Sequence, residues 1–202
     1  MKNVVLAIML VAIGSYTYAQ NPKVTSAGSY LNQGELIKAK VAIDEASVHP
    51  KTQGQPKTLI YVGKIYYAIA IDTTEETKPY RDGAIFTSAE AFQAAKKVAD
   101  SRTDETELNK YLYLFVYNKM WDEGVEFYNN KDYNQASKYF AGCSEIREGY
   151  DELDTLGYYY AANAAAAGED HEKSIEYFSK IKDSGYKDGA IYANLASQYK
   201  AL

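Results

Sequence analysis

Three stretches of the chain repeat one arrangement of polar and apolar positions. A polar turn is followed by a small residue, then an apolar residue four positions on, then a third inward position three further on. The stretches are Gly34-Glu35 with Ala39, Ile43 and Ala46; Lys131-Asp132 with Ala136, Phe140 and Cys143; and Gly168-Glu169-Asp170 with Ser174, Phe178 and Ile181. A 4-then-3 spacing is one stripe along an α-helix. Upstream of each stripe, the pairs Ala27/Tyr30, Gly124/Phe127 and Ala162/Ala165 predict a preceding helix with a small residue at its crossing point. Gly63/Tyr66 and Ala196/Tyr199 repeat that upstream pattern elsewhere. The step from Tyr30 to Ala39, from Phe127 to Ala136 and from Ala165 to Ser174 is nine residues each time. No sustained apolar–polar alternation occurs, so the pattern predicts helix pairs and essentially no sheet.

Between the regular stretches the pattern is interrupted twice. Residues 72–79 are polar and end in Pro79, which predicts a loop. Its helical partner is predicted over residues 84–99, with Ala84, Ala91, Phe92, Ala95 and Val98 inward. Residues 104–129 hold no proline and only Gly124, and they predict one long helix. It starts at Thr103 or Asp104, with Glu107 placed to close a capping box. Within it, the run Tyr111 to Tyr117 is apolar all round and is expected to be buried on more than one side. The last repeat is incomplete at Leu202, and the outer face of Ala190 to Ala196 is less polar than a terminal cap requires. That favours a chain belonging to a longer protein.

The first 20 residues predict an address. Met1-Lys2-Asn3 is a short basic start, Val4 to Gly14 an apolar run of 11 residues, and Thr17 and Ala19 small residues at cleavage spacing. This is the layout of a secretory signal peptide over residues 1–19, cut between Ala19 and Gln20. The run is too short for a membrane span, which needs about 20 apolar residues. A mature domain over residues 20–202, periplasmic or secreted and without stable membrane insertion, is the expectation.

Composition narrows the chemistry. The 202 residues are 47% hydrophobic and 24% charged, as in an ordinary globular protein. One cysteine excludes a disulfide framework. A net charge of −5 without a basic cluster argues against nucleic acid as a partner. His49 and His171 lack a second ligand at metal spacing and are expected to face solvent, while Cys143 falls on an inward stripe. No phosphate loop or nucleophile elbow is present. The acidic pairs Glu75-Glu76, Asp104-Glu105 and Asp151-Glu152 lie in loops or at helix starts, where the helix dipole favours them. No enzyme, cofactor or metal is predicted. The outlying number is 21 tyrosines.

Helix, short turn, helix, with small residues at the crossings, resembles the tetratricopeptide repeat (TPR) family. Lys131-Asp132-Tyr133-Asn134-Gln135-Ala136, running on to Tyr139-Phe140, is the clearest stretch, and residues 190–199 are similar to a first helix of the same unit. From Gly63 to Gly124 the step is 61 residues, from Gly124 to Ala162 it is 38, and from Ala162 to Ala196 it is 34, the family period. The resemblance implies an all-α, right-handed solenoid of stacked antiparallel helix pairs, interrupted by one long loop and one long helix. It also implies a concave groove lined by first helices. Carried over by register, its lining is Lys57, Ile60, Tyr61, Lys64 and Tyr67, then Trp121, Val125 and Tyr128, then Tyr159, Tyr160, Asn163, Asn194, Ser197 and Lys200. Asn163 and Asn194 resemble the asparagines with which some TPR domains hold a peptide C-terminus, although the basic partners of that clamp are missing. An aromatic, amide-rich lining suits an extended peptide. The functional expectation is a non-enzymatic protein-interaction scaffold of the cell envelope. The alternative is a structural subunit of a constitutive envelope assembly. A third reading is a small-molecule binder or hydrolase using a cleft formed by the long loop and the helix at 104–129.

Overall fold

The nine-residue step corresponds to one physical object, a turn that appears three times. In the computed structural model, which describes residues 20–150 and 152–202, Gly34, Lys131 and Glu169 each adopt a left-handed backbone with φ of 75°, 63° and 61°. The next residue, Glu35, Asp132 or Asp170, donates its N–H back over five residues to Tyr30, Phe127 or Ala165 at 2.9 Å. Its own carbonyl then accepts from the residue four ahead, Ala39, Ala136 or Ser174. The step is the combined span of these two bonds. The left-handed residue is Glu169, one position after the glycine that the sequence offers.

The chain divides into two compact units, one up to Tyr111 and one from Leu112. In the first, α1 (Gln20–Asn32) and α2 (Leu36–Ser47) form a pair. They are followed by α3 (Pro56–Ile71), α4 (Ala84–Lys97) and the short α5 (Glu105–Lys110). In the second, α6 (Tyr117–Asn129), α7 (Tyr133–Glu148), α8 (Thr155–Ala167), α9 (His171–Asp183) and α10 (Gly189–Ala201) each pack on the next. Among the described residues there is no strand, and no helix is long and apolar enough to cross a membrane. The signal segment and Ala19 lie outside the described residues.

The three stripes are buried throughout, from Ala39, Ile43 and Ala46 to Ser174, Phe178 and Ile181. Their helices start on aspartates where the sequence provides one. Asp132 accepts from the N–H of Gln135 and Asp170 from that of Lys173, satisfying amides the helix cannot. Small residues sit where helices cross. A Cβ on Gly63 would come within 2.7 Å of the Phe92 ring, and one on Gly124 within 3.0 Å of the Phe140 ring.

Several expectations need correction. Val98 is 44% exposed, because α4 ends at Lys97 and the stripe ends with it. Ala196 and Tyr199 do not mark a buried crossing; both are exposed, since no described helix packs on that side of α10. The helix at 104–129 is not one α-helix. Asp104 caps α5 through the Glu107 N–H, but the Glu107 carboxylate engages Lys64 instead of closing the box. Residues Tyr111–Val116 then form a π-helical segment before α6. Its burial is one-sided, with Leu112 and Val116 inside and Leu114 55% exposed. The buried positions here are Leu108, Leu112, Val116, Met120 and Gly124, always four apart. At 3.6 residues per turn such a stripe would drift by roughly 40° per step. The wider π turns offset that drift between Leu112 and Val116.

Candidate functional site

In the first unit, α3 begins with Pro56 at its first position, a place where the missing N–H costs nothing. Lys57, Ile60, Tyr61 and Lys64 follow at helical spacing on one face, and all four line a cleft of about 680 Å³. The opposite wall is the turn before α5 with the first turn of that helix, and it carries Asp100, Arg102, Thr103, Asp104 and Glu107. Asp100 organises that turn. It accepts from the Arg102 N–H at 2.9 Å and from its guanidinium at 2.6 Å, and these bonds hold its carboxyl below the usual range. Lys64 spans the cleft to Glu107 at 2.6 Å, and its ammonium lies 5.9 Å from the Tyr61 ring and 5.4 Å from the Tyr111 ring. Tyr61 rests on Gly28 of α1, where a Cβ would fall 2.7 Å from the ring. Tyr67 is not among the residues lining the cleft; it packs edge-on against Tyr111 at 6.0 Å.

In the second unit the rings form a chain. Trp121 is half-buried and meets Phe140 at 5.2 Å and Tyr160 at 5.4 Å; Tyr160 meets Tyr159 at 6.1 Å. Tyr159 is 37% and Tyr160 42% exposed, so the chain runs from the core edge to the surface. Tyr159 also touches Phe178 and lines a hollow of about 210 Å³ with Leu156, Ile181, Tyr186 and Ile191. Tyr128 and Val125 are exposed, but Tyr128 pairs with Tyr133 at 5.3 Å. The Asn163 amide donates back to the Tyr159 carbonyl at 2.7 Å, which commits one donor within its own helix. Asn194 is half-buried beside Leu195, and Ser197 and Lys200 are exposed.

The sequence reading missed a set of polar seams that use the tyrosines. Tyr66 donates to Asp44 at 2.9 Å, and Lys40 donates to the other carboxylate oxygen at 2.6 Å. Tyr117 donates to Asp154 at 2.8 Å, with Arg147 3.8 Å from the same oxygen. Tyr158 donates to Glu148 at 2.6 Å and accepts from Lys180 at 2.8 Å. Each seam joins a phenol, a carboxylate and a cation, and in each the phenol and the carboxylate come from different helices or caps. Asp154 is buried and also caps α8 through the Gly157 N–H at 3.0 Å. Burial, then the partner carboxylate, raises the Tyr66, Tyr117 and Tyr158 phenols above their ordinary range. Burial pushes Tyr150 and Tyr177 up to about 12. The signal for these seams is weak in one dimension, because each phenol lies 10 to 37 residues from its carboxylate.

Burial also raises the Cys143 thiol, which keeps it protonated and unreactive. The histidines are half-buried instead of facing solvent. His171 pairs with Gln198 at 2.7 Å, and His49 accepts from the Lys51 N–H at 3.2 Å. Among the described residues no three His, Cys, Asp or Glu side chains are grouped to hold a metal. Neither a family model nor a curated protein matches the chain.

Proposed function

We propose that this chain is a non-enzymatic interaction scaffold of the bacterial cell envelope, a TPR-like right-handed α-solenoid that holds a peptide or protein segment on its first-helix surfaces. The observation that carries the reading is the run of rings from half-buried Trp121 to Tyr160 and Tyr159, the last two open to solvent. Rings of this kind supply contact area at low entropy cost. The shared turn at Gly34, Lys131 and Glu169 supports the TPR part of the reading, and residues 1–19 support export.

Truncation of Tyr159 to alanine tests it. Partner affinity is expected to fall by about 2 kcal/mol, as for a hot-spot ring. Stability is expected to change little, because a third of this side chain faces water. Lost folding with unchanged affinity per folded molecule would assign Tyr159 to packing and end the proposal. A second reading is a subunit of a constitutive envelope assembly, favoured by the bare face of α10, where Tyr199 is 62% exposed. A stoichiometric, salt-resistant complex recovered from envelope extract would favour it over exchangeable peptide binding. Export is checked by intact mass from the native host, with Gln20 expected as the first residue.

A further inference from the structure

The cleft of the first unit sorts its charges by wall. The α3 wall carries Lys57 and Lys64 and no acid over residues 55–64. The facing wall carries Asp100, Asp104 and Glu107 against the single cation Arg102. Four of these charges are matched internally in two pairs at 2.6 Å, Lys64 with Glu107 and Arg102 with Asp100. Lys57 forms no ion pair among the described residues, and Asp104 uses only Oδ1, as the cap of α5. One unmatched cation and one partly engaged carboxylate therefore line the same cleft, with Ile60 and Tyr61 as its apolar floor.

We propose that this cleft binds an extended peptide in which neighbouring side chains carry opposite charges, an acidic residue on Lys57 and the adjacent basic residue toward Asp104. This deepens the scaffold reading and rests on it. Successive side chains of an extended chain point to opposite sides, so a ligand lying along the cleft presents odd positions to one wall and even positions to the other. Walls of opposite sign then select alternating charge. A polyanion meets the carboxylates of the 100–107 wall, and a polycation meets Lys57 and Lys64, so both are disfavoured by like charge. A volume near 680 Å³ lies within the range of ligand clefts. The ion pair with Glu107 keeps the largely covered Lys64 in place before the ligand arrives, which limits the ordering cost of binding.

The probe is a set of labelled synthetic peptides of about ten residues, long enough at about 3.3 Å per residue to cross the cleft. One alternates Glu and Lys, one carries the same residues in two blocks, and two are all-Glu and all-Lys. Fluorescence anisotropy against the purified protein at about 50 mM salt keeps screening low. The alternating peptide is expected to bind at least about ten-fold more tightly than the others, and to lose that margin at high salt. Lys57→Glu is expected to abolish the margin, and Lys57→Arg to keep it. Asp104→Asn removes the charge while preserving the cap of α5, so it reduces the margin in a folded protein. Circular dichroism confirms folding of each variant. Equal binding by alternating and block peptides, or an unchanged margin in Lys57→Glu, overturns the proposal, as does binding of an uncharged oligosaccharide with the peptides inert. The scaffold reading falls separately, if Tyr159→Ala in the other unit leaves partner capture unchanged.

Discussion

The pairs α3/α4 and α6/α7 solve the same packing problem with different connections. Both cross at a glycine covered by an aromatic ring of the second helix, Gly63 under Phe92 and Gly124 under Phe140. Both add a tie from the second helix to a backbone carbonyl of the first. Ser88 donates to the Gly63 carbonyl at 2.7 Å, and the Cys143 thiol donates to that of Tyr117 at 3.5 Å. Between the helices, however, α6/α7 uses the tight left-handed turn at Lys131, whereas α3/α4 uses residues 72–83. That longer connection is organised by Asp72, which accepts from the hydroxyls of Thr74 and Thr77 and from the Thr74 N–H. Arg81 donates to the Thr74 carbonyl and to Thr77. The contrast teaches that the crossing is set by glycine and ring, while the connection is free to vary once its polar groups are satisfied.

Damage to the crossings should therefore matter most. Gly63→Leu and Gly124→Leu are each expected to lower unfolding free energy by about 1–3 kcal/mol through overpacking, with the tighter Gly63 site the more sensitive. Denaturant midpoints check this, and a mild effect at Gly63 alone would mean that its longer loop relieves the strain. Asp154→Ala removes a helix cap and leaves the Tyr117 hydroxyl without its acceptor. A loss of about 2 kcal/mol is expected, with Asp154→Asn losing less because the cap survives.

Smaller changes separate the connections themselves. Lys131→Gly and Glu169→Gly should each stabilise by up to about 1 kcal/mol, since glycine relieves the left-handed backbone cost. Thermal midpoints should rise, whereas a fall would show that the side chains contribute to the turn. The smallest effect belongs to the long loop. The hydroxyls of Thr74 and Thr77 hold the Asp72 carboxyl below its usual range, so the bonds contribute above the ordinary carboxylate pKa and are lost as pH falls through the lowered one. Asp72→Asn is expected to flatten that part of the acid dependence, measured as unfolding midpoint against pH.

How much of this was legible in the sequence follows from the range of each interaction. The stripes, the α4 partner and the turn positions are local, recurring within nine residues, and the pattern located them. Lys57, Ile60, Tyr61 and Lys64 share a cleft because register along one helix is also local. The facing wall was not foreseen as part of that surface, since Asp100 to Glu107 approach α3 only through tertiary folding. The π segment was missed for a different reason. An all-round apolar run such as Tyr111 to Tyr117 carries no phase, so it hides a change of helical pitch that only the four-residue burial spacing exposes. The tyrosine seams were missed because each phenol meets its acid only through tertiary folding, 10 to 37 residues away in the chain.

Those seams make the molecule its own optical gauge. A phenol ionises with a change in ultraviolet absorbance, ordinarily near pH 10. Tyr117 and Tyr158 are held above that by burial and by Asp154 and Glu148, while Tyr150 and Tyr177 wait until about 12. The folded state binds these protons more tightly than the unfolded chain does. Its advantage is therefore complete below about pH 10 and drains away as pH climbs through the raised values. An alkaline titration should show Tyr117 and Tyr158 ionising only when the helices that hold them separate. That step, read at a single wavelength without any added label, would time the parting of the very joints that hold the helices together.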